Sequence, residues 1–412
     1  MVEDQSHSEM GERRSAVELD ELARAVSKLG LEQQLSPQQI NERLQKEGLR
    51  TRGARDVALL TKRALDRHRP LVTVHVESVG DVPFINDSVS TDLAEITGIP
   101  RVIAVKTTLP EGEESWNPRD SRDPNRALTL SHRLHRQIAI PAASHLWNAL
   151  RDHDVIAVGA GRGVRFTVDA LKEIVRKRSR RFQNIRVMSI TGTGVIRPYP
   201  PEPDRDGNDT DWPELEADNI ARALHRVLKL GPGAMSLVRL PFVLKENGGV
   251  IQSVAPYLVG DSWTDGRPPD IALYGLGVLN SRHHLMASRG SPEIEPIENI
   301  LEELEQKVLT ISDSAIIDVY DTYWVRSGAL PPEVERLAES LVSNLNGMLV
   351  AVSRSKLNQS REKILIAGGP LKYAGILAYL SQRDAVGMSP TVFVTDETTA
   401  ETLVHDLSDE SS

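Results

Sequence analysis

The chain has 412 residues, 40% of them hydrophobic and 26% charged, with a formal net charge of −9, a composition ordinary for one to three globular domains. It contains no cysteine, which excludes disulfides, thiolate metal sites and a cysteine nucleophile. The acidic balance argues against wholesale electrostatic binding to nucleic acid but allows a local basic patch, and no apolar run approaches the ~20 residues that span a bilayer.

The amino terminus, MVEDQS, is polar and carries no signal-peptide pattern. A cytoplasmic protein is expected, with residues 1–14 a disordered tail. Three short helices follow. Val17, Leu19, Leu22, Ala23, Val26 and Leu29 fall near helical spacing and Gly30 ends the run. Ser36 and Pro37 form a helix start, Ile40 and Leu44 share a face, and Gly48 stops the segment. A third helix turns Val57, Leu60 and Ala64 inward until Pro70, after which 71–76 reads as a strand. Residues 15–76 thus form a small unit, and it holds a basic patch. Arg50, Arg52, Arg55, Lys62, Arg63, Arg67 and Arg69 face only Asp56 and Asp66. On a third helix this is the charge pattern of a helix-turn-helix reader of DNA phosphates. A solvated helix face is the alternative.

Residues 77–140 are less readable. His132 and His135 lie three apart, yet no acidic third ligand stands nearby and no metal site is expected. A helix over 140–150 feeds the most informative stretch, 154–163. There, 155–158 is a continuous apolar run, as in a strand buried on both faces of a parallel sheet. Gly159, Gly161 and Gly163 then make a turn into a helix over 166–177, whose amino end favours an anion, and Arg162 adds a forked donor. Basic residues 176–181 have the composition of a nucleic-acid signal, and fit equally the carboxyl end of that helix. The strand 185–190 ends in Thr191, Gly192, Thr193 and Gly194. A loop over 199–213, a helix over 219–230 and a strand over 236–241 come next. The apolar run 271–279 is interrupted by Gly275 and Gly277, and a helix is expected over 295–308. Strand 363–367 runs into Gly368 and Gly369, with Lys372 at the start of a helix over 371–380. Strand 391–397, a last helix over 398–407 and an acidic tail complete the chain.

Four strands therefore end in Gly- or Thr-rich turns. Alternating strands and helices imply a parallel, Rossmann-like α/β sheet, and in such sheets ligands bind beyond the carboxyl ends of the strands. None of the turns has the spacing of a dinucleotide or P-loop fingerprint, so no nucleotide cofactor is expected.

Five segments, DVIAVGAGRGV, RVMSITGTG, DIALYGLGVLN, ILIAGGPLKYAGILAYL and TVFVTDETTAETL, resemble the sugar-binding domain of the SorC/DeoR-type bacterial transcription regulators, in family order and spacing. The resemblance covers about 140–405. It implies a sugar-phosphate isomerase/deaminase-like effector domain over 77–408 that senses a phosphorylated sugar, an amino-terminal helix-turn-helix that binds operator DNA, and a homodimer or homotetramer. The implied effector contacts are Gly159, Gly161, Arg162, Gly163, Thr191, Gly192, Thr193, Gly194, Gly275, Gly277, Asp318, Gly368, Gly369 and Lys372. The candidate DNA contacts come from the basic patch: Arg50, Arg52, Arg55, Lys62 and Arg63. The sequence departs from the family in two places. The stretch 45–56 is longer and lacks the usual Ser-Arg pair, and Ile317 and Val325 stand where a glycine and a turn aspartate are usual. Two other readings stay open: a regulator-derived protein that acts through protein partners, and a sugar-phosphate enzyme for which Asp318, Asp396 and Glu397 are the nearest candidates.

Overall fold

The chain divides into two compact units, Met1–Val82 and Pro83–Ser412. The computed structural model describes residues 85–410, apart from 108–115, 120–123, 192–214, 237–242, 244–266, 290–293, 383–386 and a few shorter gaps. The tail 1–14, the helical unit 15–76, its basic residues, and Gly192, Thr193 and Gly194 lie outside the described residues.

The second unit is built on a seven-stranded sheet in which every described pairing is parallel. Its strands are β1 (Arg101–Val105), β2 (Val155–Val158), β3 (Arg186–Ser189), β4 (Met235–Ser236), β5 (Ile271–Tyr274), β9 (Glu362–Ile366) and β10 (Val392–Asp396), in spatial order β1-β10-β9-β5-β2-β3-β4. The chain runs outward from β2 to β4, then returns to the other side of β2 and continues through β9 to β10. The order reverses between β2 and β5, and such a switch point is where open α/β sheets hold ligands.

Helices cover both faces. On one face lie α2 (Pro124–Ala149), α3 (Arg162–Lys177) and α4 (Ala217–Val227), packed on Ile156, Val158, Leu273, Ile364 and Ile366. On the other lie α1 (Asp87–Thr97), α9 (Pro370–Ser381) and α10 (Glu397–Glu410), packed on Val155, Ala157, Tyr274, Leu365 and Phe393. Alternate residues of each strand thus enter opposite cores, which accounts for the unbroken apolar runs. α2 buries Leu130, Leu134, Ile138, Ala142 and Leu146, each four residues from the next, and carries Pro141 internally.

A second, three-stranded antiparallel sheet is made of β6 (Leu276–Val278), β7 (Ile316–Val319) and β8 (Thr322–Val325). Only Gly275 separates β6 from β5, so the run 271–279 is two strands in two sheets. Short α5 (His284–Ala287) follows, then α6 (Glu298–Leu304), which widens into a π turn over Glu305–Leu309. With α7 (Pro332–Met348) these elements enclose a third core around Leu301, Leu304, Tyr323 and Leu345. The short α8 (Arg354–Asn358) leads back to β9.

The amino ends of the three central strands carry charge. Asp154, Asp270 and Arg361 each stand one residue before β2, β5 and β9. Asp154 is buried and accepts from Arg361 through Nη1 at 3.2 Å and Nη2 at 3.1 Å, and from the Arg151 amide at 2.7 Å. Arg361 also donates to the Ala149 carbonyl at 3.1 Å, and Asp270 Oδ2 accepts the Val155 amide at 2.9 Å. Farther out, Arg178 stands over Trp147 and Arg180 over Phe182, while Arg180 donates to the Leu150 carbonyl at 3.2 Å. The basic run 176–181 therefore places cations where α2 and α3 end, as helix dipoles favour.

Removing Arg361 leaves a buried carboxylate with one amide donor. Breaking such a pair costs roughly 3–5 kcal/mol when fully buried, and Arg361 is 29% exposed. Arg361→Ala is expected to lose about 3 kcal/mol in chemical denaturation, at the lower end of that range. A loss under about 0.5 kcal/mol, the size usual for surface substitutions, would remove the clasp from the account.

Candidate functional site

The carboxyl ends of β9, β5 and β2 are adjacent, and their turns converge there. Gly161 is the N-cap of α3 at φ 113° and Gly369 the N-cap of α9 at φ 83°, backbone conformations that a side chain strains. Both helices therefore start abruptly at the sheet edge. A Cβ on Gly163 would meet the Ile366 carbonyl at 3.2 Å and His135 Cδ2 at 3.4 Å, and one on Gly369 would meet Ser131 Oγ at 3.1 Å. The two glycine turns thus close on the stretch of α2 that carries Ser131 and His135.

Not every amide at these turns is available to a ligand. The Gly159 amide donates to the Leu273 carbonyl at 2.8 Å and the Gly161 amide to the Leu215 carbonyl at 2.9 Å. The first-turn amides of α3 at Gly163 and Val164 have no carbonyl four residues back within the helix. In the second turn the Gly369 amide donates to Asp396 Oδ2 at 2.8 Å, and Asp396 Oδ1 accepts the Thr399 amide at 2.8 Å. Burial raises the Asp396 pKa and these amides oppose the rise. Asp396 is a brace for the Gly368–Gly369 turn, with both oxygens engaged.

Two cations reach this edge. Arg162 opens α3, and burial lowers its pKa. Lys372 lies in the first turn of α9, where its amide donates to the Gly369 carbonyl at 3.0 Å. Burial pushes its ammonium down to about 8. Asp318 pulls in the opposite direction, and Arg162 adds to the lowering. His135 is buried and held at about 3, first by burial and then by the charges of Lys372, Arg162 and His132. It is a neutral imidazole at physiological pH. Asp318 enters from β7, where it is the register partner of Gly277. Its Oδ2 lies 3.1 Å from His283 Nε2. Gly375, three residues after Lys372 and on the same helix face, packs against Leu276 and Val278 on either side of Gly277, which brings Lys372 to the small sheet.

The structure therefore gathers Gly159, Gly161, Arg162, Gly163, Gly275, Gly277, Asp318, Gly368, Gly369 and Lys372 at one edge. Thr191 is buried one strand farther out and forms an isolated bridge with Ala351. No described contact joins it to Arg162 or Lys372. The sequence points to neither Ser131 nor His283, and to His135 only as half of a histidine pair too poor in ligands for a metal. His135 carried a signal, since it continues the buried stripe of α2 from Ser131 to Ile138. Among the described residues no cluster of potential metal ligands occurs, and no helix is long and apolar enough to cross a membrane.

An α/β domain with cations, amides and a carboxylate at its switch point has the groups needed to hold a small anion there. Residues 339–405 match the family model described as "Putative sugar-binding domain". The solved structure of the full-length sorbitol operon regulator SorC from Klebsiella pneumoniae is similar at 18% identity and TM-score 0.50, covering 94% of this chain and all of that one. A transcriptional regulator from Streptococcus pneumoniae TIGR4 is similar at 15% identity and TM-score 0.50, over 77% of this chain and 96% of that one. No curated protein matches the chain. The resemblance to the SorC/DeoR-type regulators is thus borne out in the fold and in the segment that matches the family model.

Lys372 supplies a titration test. Its folded pKa lies below the ordinary lysine value of 10.5, so between about 8 and 10.5 the unfolded chain binds more protons and stability rises with pH. Below about 8 both states are protonated and the penalty is fully present. Denaturation at pH 7.5 to 10 is expected to show this rise in the wild type and its absence in Lys372→Met. Parallel pH profiles for the two proteins would place Lys372 in ordinary solvent.

Proposed function

We propose that this protein is a DNA-binding transcriptional regulator whose second unit senses a phosphorylated sugar and which works as a homodimer or homotetramer. The observation that carries the reading is the pairing of Arg162 and Lys372 beside a neutral imidazole and a buried carboxylate at the switch point. Two desolvated cations favour a phosphate, with Gly163 and Val164 amides as further donors. Asp318 and Ser131 suit hydroxyls. The turn 191–194 and the glycines at 275, 277 and 368 would complete the walls. Operator DNA would be read by the first unit through Arg50, Arg52 and Arg55, with Lys62 and Arg63 on phosphates. No cofactor is required by this reading, and a cytoplasmic location suits it.

Charge-assisted hydrogen bonds contribute about 1.5–3 kcal/mol each, so a sugar phosphate should bind far more tightly than the free sugar. Ligand at a hundredfold excess over Kd adds about 2.7 kcal/mol to stability. A thermal-shift panel of sugar phosphates is expected to give a ligand-specific rise in Tm, reduced in Arg162→Ala and in Lys372→Ala. Equal shifts from unphosphorylated sugars would sink the phosphate assignment.

Binding to promoter DNA near its own gene is expected to weaken steeply with salt as counterions are released, and the triple change of Arg50, Arg52 and Arg55 to Ala should abolish it. No shift on any such fragment, with or without effector, would favour action through protein partners. The His283–Asp318 contact beside Lys372 gives an enzymatic reading some support, since it has the form of an acid–base pair. Turnover of any sugar phosphate in that panel, followed by NMR, decides for it.

A further inference from the structure

His283 lies in the turn after β6, its amide donating to the Asn280 carbonyl at 2.8 Å. Its Nδ1 accepts the Leu285 amide at 3.3 Å, so the ring proton sits on Nε2. Nε2–H then donates to Asp318 Oδ2 at 3.1 Å. The edge of the ring meets Tyr323 with centroids 5.7 Å apart, which fixes its tilt. Both side chains belong to residues more than nine-tenths buried, His283 at 8% and Asp318 at 9% exposure. One carboxylate oxygen is thus locked by an imidazole of defined tautomer. The other, Oδ1, is buried and has no hydrogen-bond partner among the described residues.

A buried carboxylate oxygen without a donor is costly unless a ligand supplies one. The surroundings restrict what that donor can be. Asp318 faces Gly277 across the β6–β7 ladder, which offers no side chain. Lys372 feels the charge of Asp318 on one hand and of Arg162 on the other. A phosphate monoester is mostly a dianion at neutral pH, its second pKa being about 6, and would be repelled by Asp318, whereas a hydroxyl donates without adding charge. The site therefore has a polarity, with an anion end at α3 and Arg162, Lys372 between, and an acceptor end at Asp318.

We propose that His283 is a positioning residue that holds Asp318 Oδ1 ready for a hydroxyl on the carbon chain of a bound phosphate ester, so that the site selects polyol phosphates carrying that hydroxyl over their deoxy counterparts. The inference rests on the reading that this domain binds a phosphorylated sugar and adds a selectivity to it. His283 acts through Asp318 and touches no ligand.

The test uses the full chain and calorimetric titration with inorganic phosphate, with the sugar phosphate that stabilises the wild type most, and with its monodeoxy analogues. One deoxy analogue should bind the wild type about tenfold to a hundredfold more weakly, the range of a lost hydrogen bond to a charged group. His283→Phe should bind the parent sugar phosphate weaker by a similar factor, bind inorganic phosphate unchanged, and no longer distinguish parent from deoxy analogue. His283→Gln, whose amide nitrogen can take the place of Nε2, should restore much of the discrimination. If His283→Phe does not fold, Asp318→Asn provides the same comparison with the shape retained. Equal losses for phosphate and sugar phosphate, or discrimination untouched in both the His283→Phe and Asp318→Asn chains, overturn the proposal. If the wild type binds sugar phosphates without distinguishing any deoxy analogue, the hydroxyl reader alone is wrong. If it binds none, the sensor reading falls and this inference with it.

Discussion

Arg361 donates to both oxygens of Asp154 and to the carbonyl that ends α2, and on this clasp the alignment of β2, β5 and β9 depends. Asp270 joins it by accepting the Val155 amide. A shift of one residue in any of these strands would exchange its two faces, turning Ile156 and Val158 away from α2 and α3. It would also displace the following turn by more than 3 Å. Charge at the amino ends of the strands thus sets where glycine stands at the carboxyl ends. Function at one edge is positioned from the other.

The site concentrates interactions that oppose one another. Arg162 and Lys372 share sign and are partly desolvated, and His135 remains neutral first because it is buried and then because Lys372, Arg162 and His132 add positive charge nearby. Asp318 offsets part of this and is itself tied to His283. Around this set the scaffold is fully braced, since Asp396 satisfies the Gly369 and Thr399 amides and neighbouring carbonyls occupy the Gly159 and Gly161 amides. Ser131 Oγ, His135 Nδ1 and Asp318 Oδ1 are buried there without a hydrogen-bond partner among the described residues.

Much of the parallel sheet was legible in sequence, because buried parallel strands are unbroken apolar runs that end in glycine. The stretch 154–163 is strand, turn and helix as its composition implies, although the helix starts at Arg162 and not four residues later. Lys372 lies in the first turn of α9 as expected. Less legible was α2. Its stripe from Ala127 to Leu146 has helical spacing, but Pro141 suggests a break, so the reading began at 140 where the helix begins at Pro124. Hidden with it was Ser131, and His135 stood out only as a neighbour of His132. The small sheet was obscured for another reason, since a single residue, Gly275, divides β5 from β6 and one apolar run then serves two sheets. His283 could not be foreseen, because its role comes from a hydrogen bond to a strand 35 residues later.

The same clasp has a consequence for how the chain is made. Asp154 and Arg361 are 207 residues apart, and at synthesis rates of roughly 5–20 residues per second the carboxylate leaves the ribosome on the order of ten to forty seconds before its partner. β5 reaches β2 across a separation of 115 residues, and β9 completes the centre only later. Until β5 emerges β2 and β3 can pair but the other side of β2 is an open apolar edge, and from then until β9 emerges the open edge is that of β5. Parallel sheets closed by such distant segments fold slowly, since loop closure precedes the gain from pairing. The nascent domain is therefore most prone to aggregation after β2 has formed and before residue 361 has emerged, and a ligand that needs both α3 and α9 cannot assist until that window has closed.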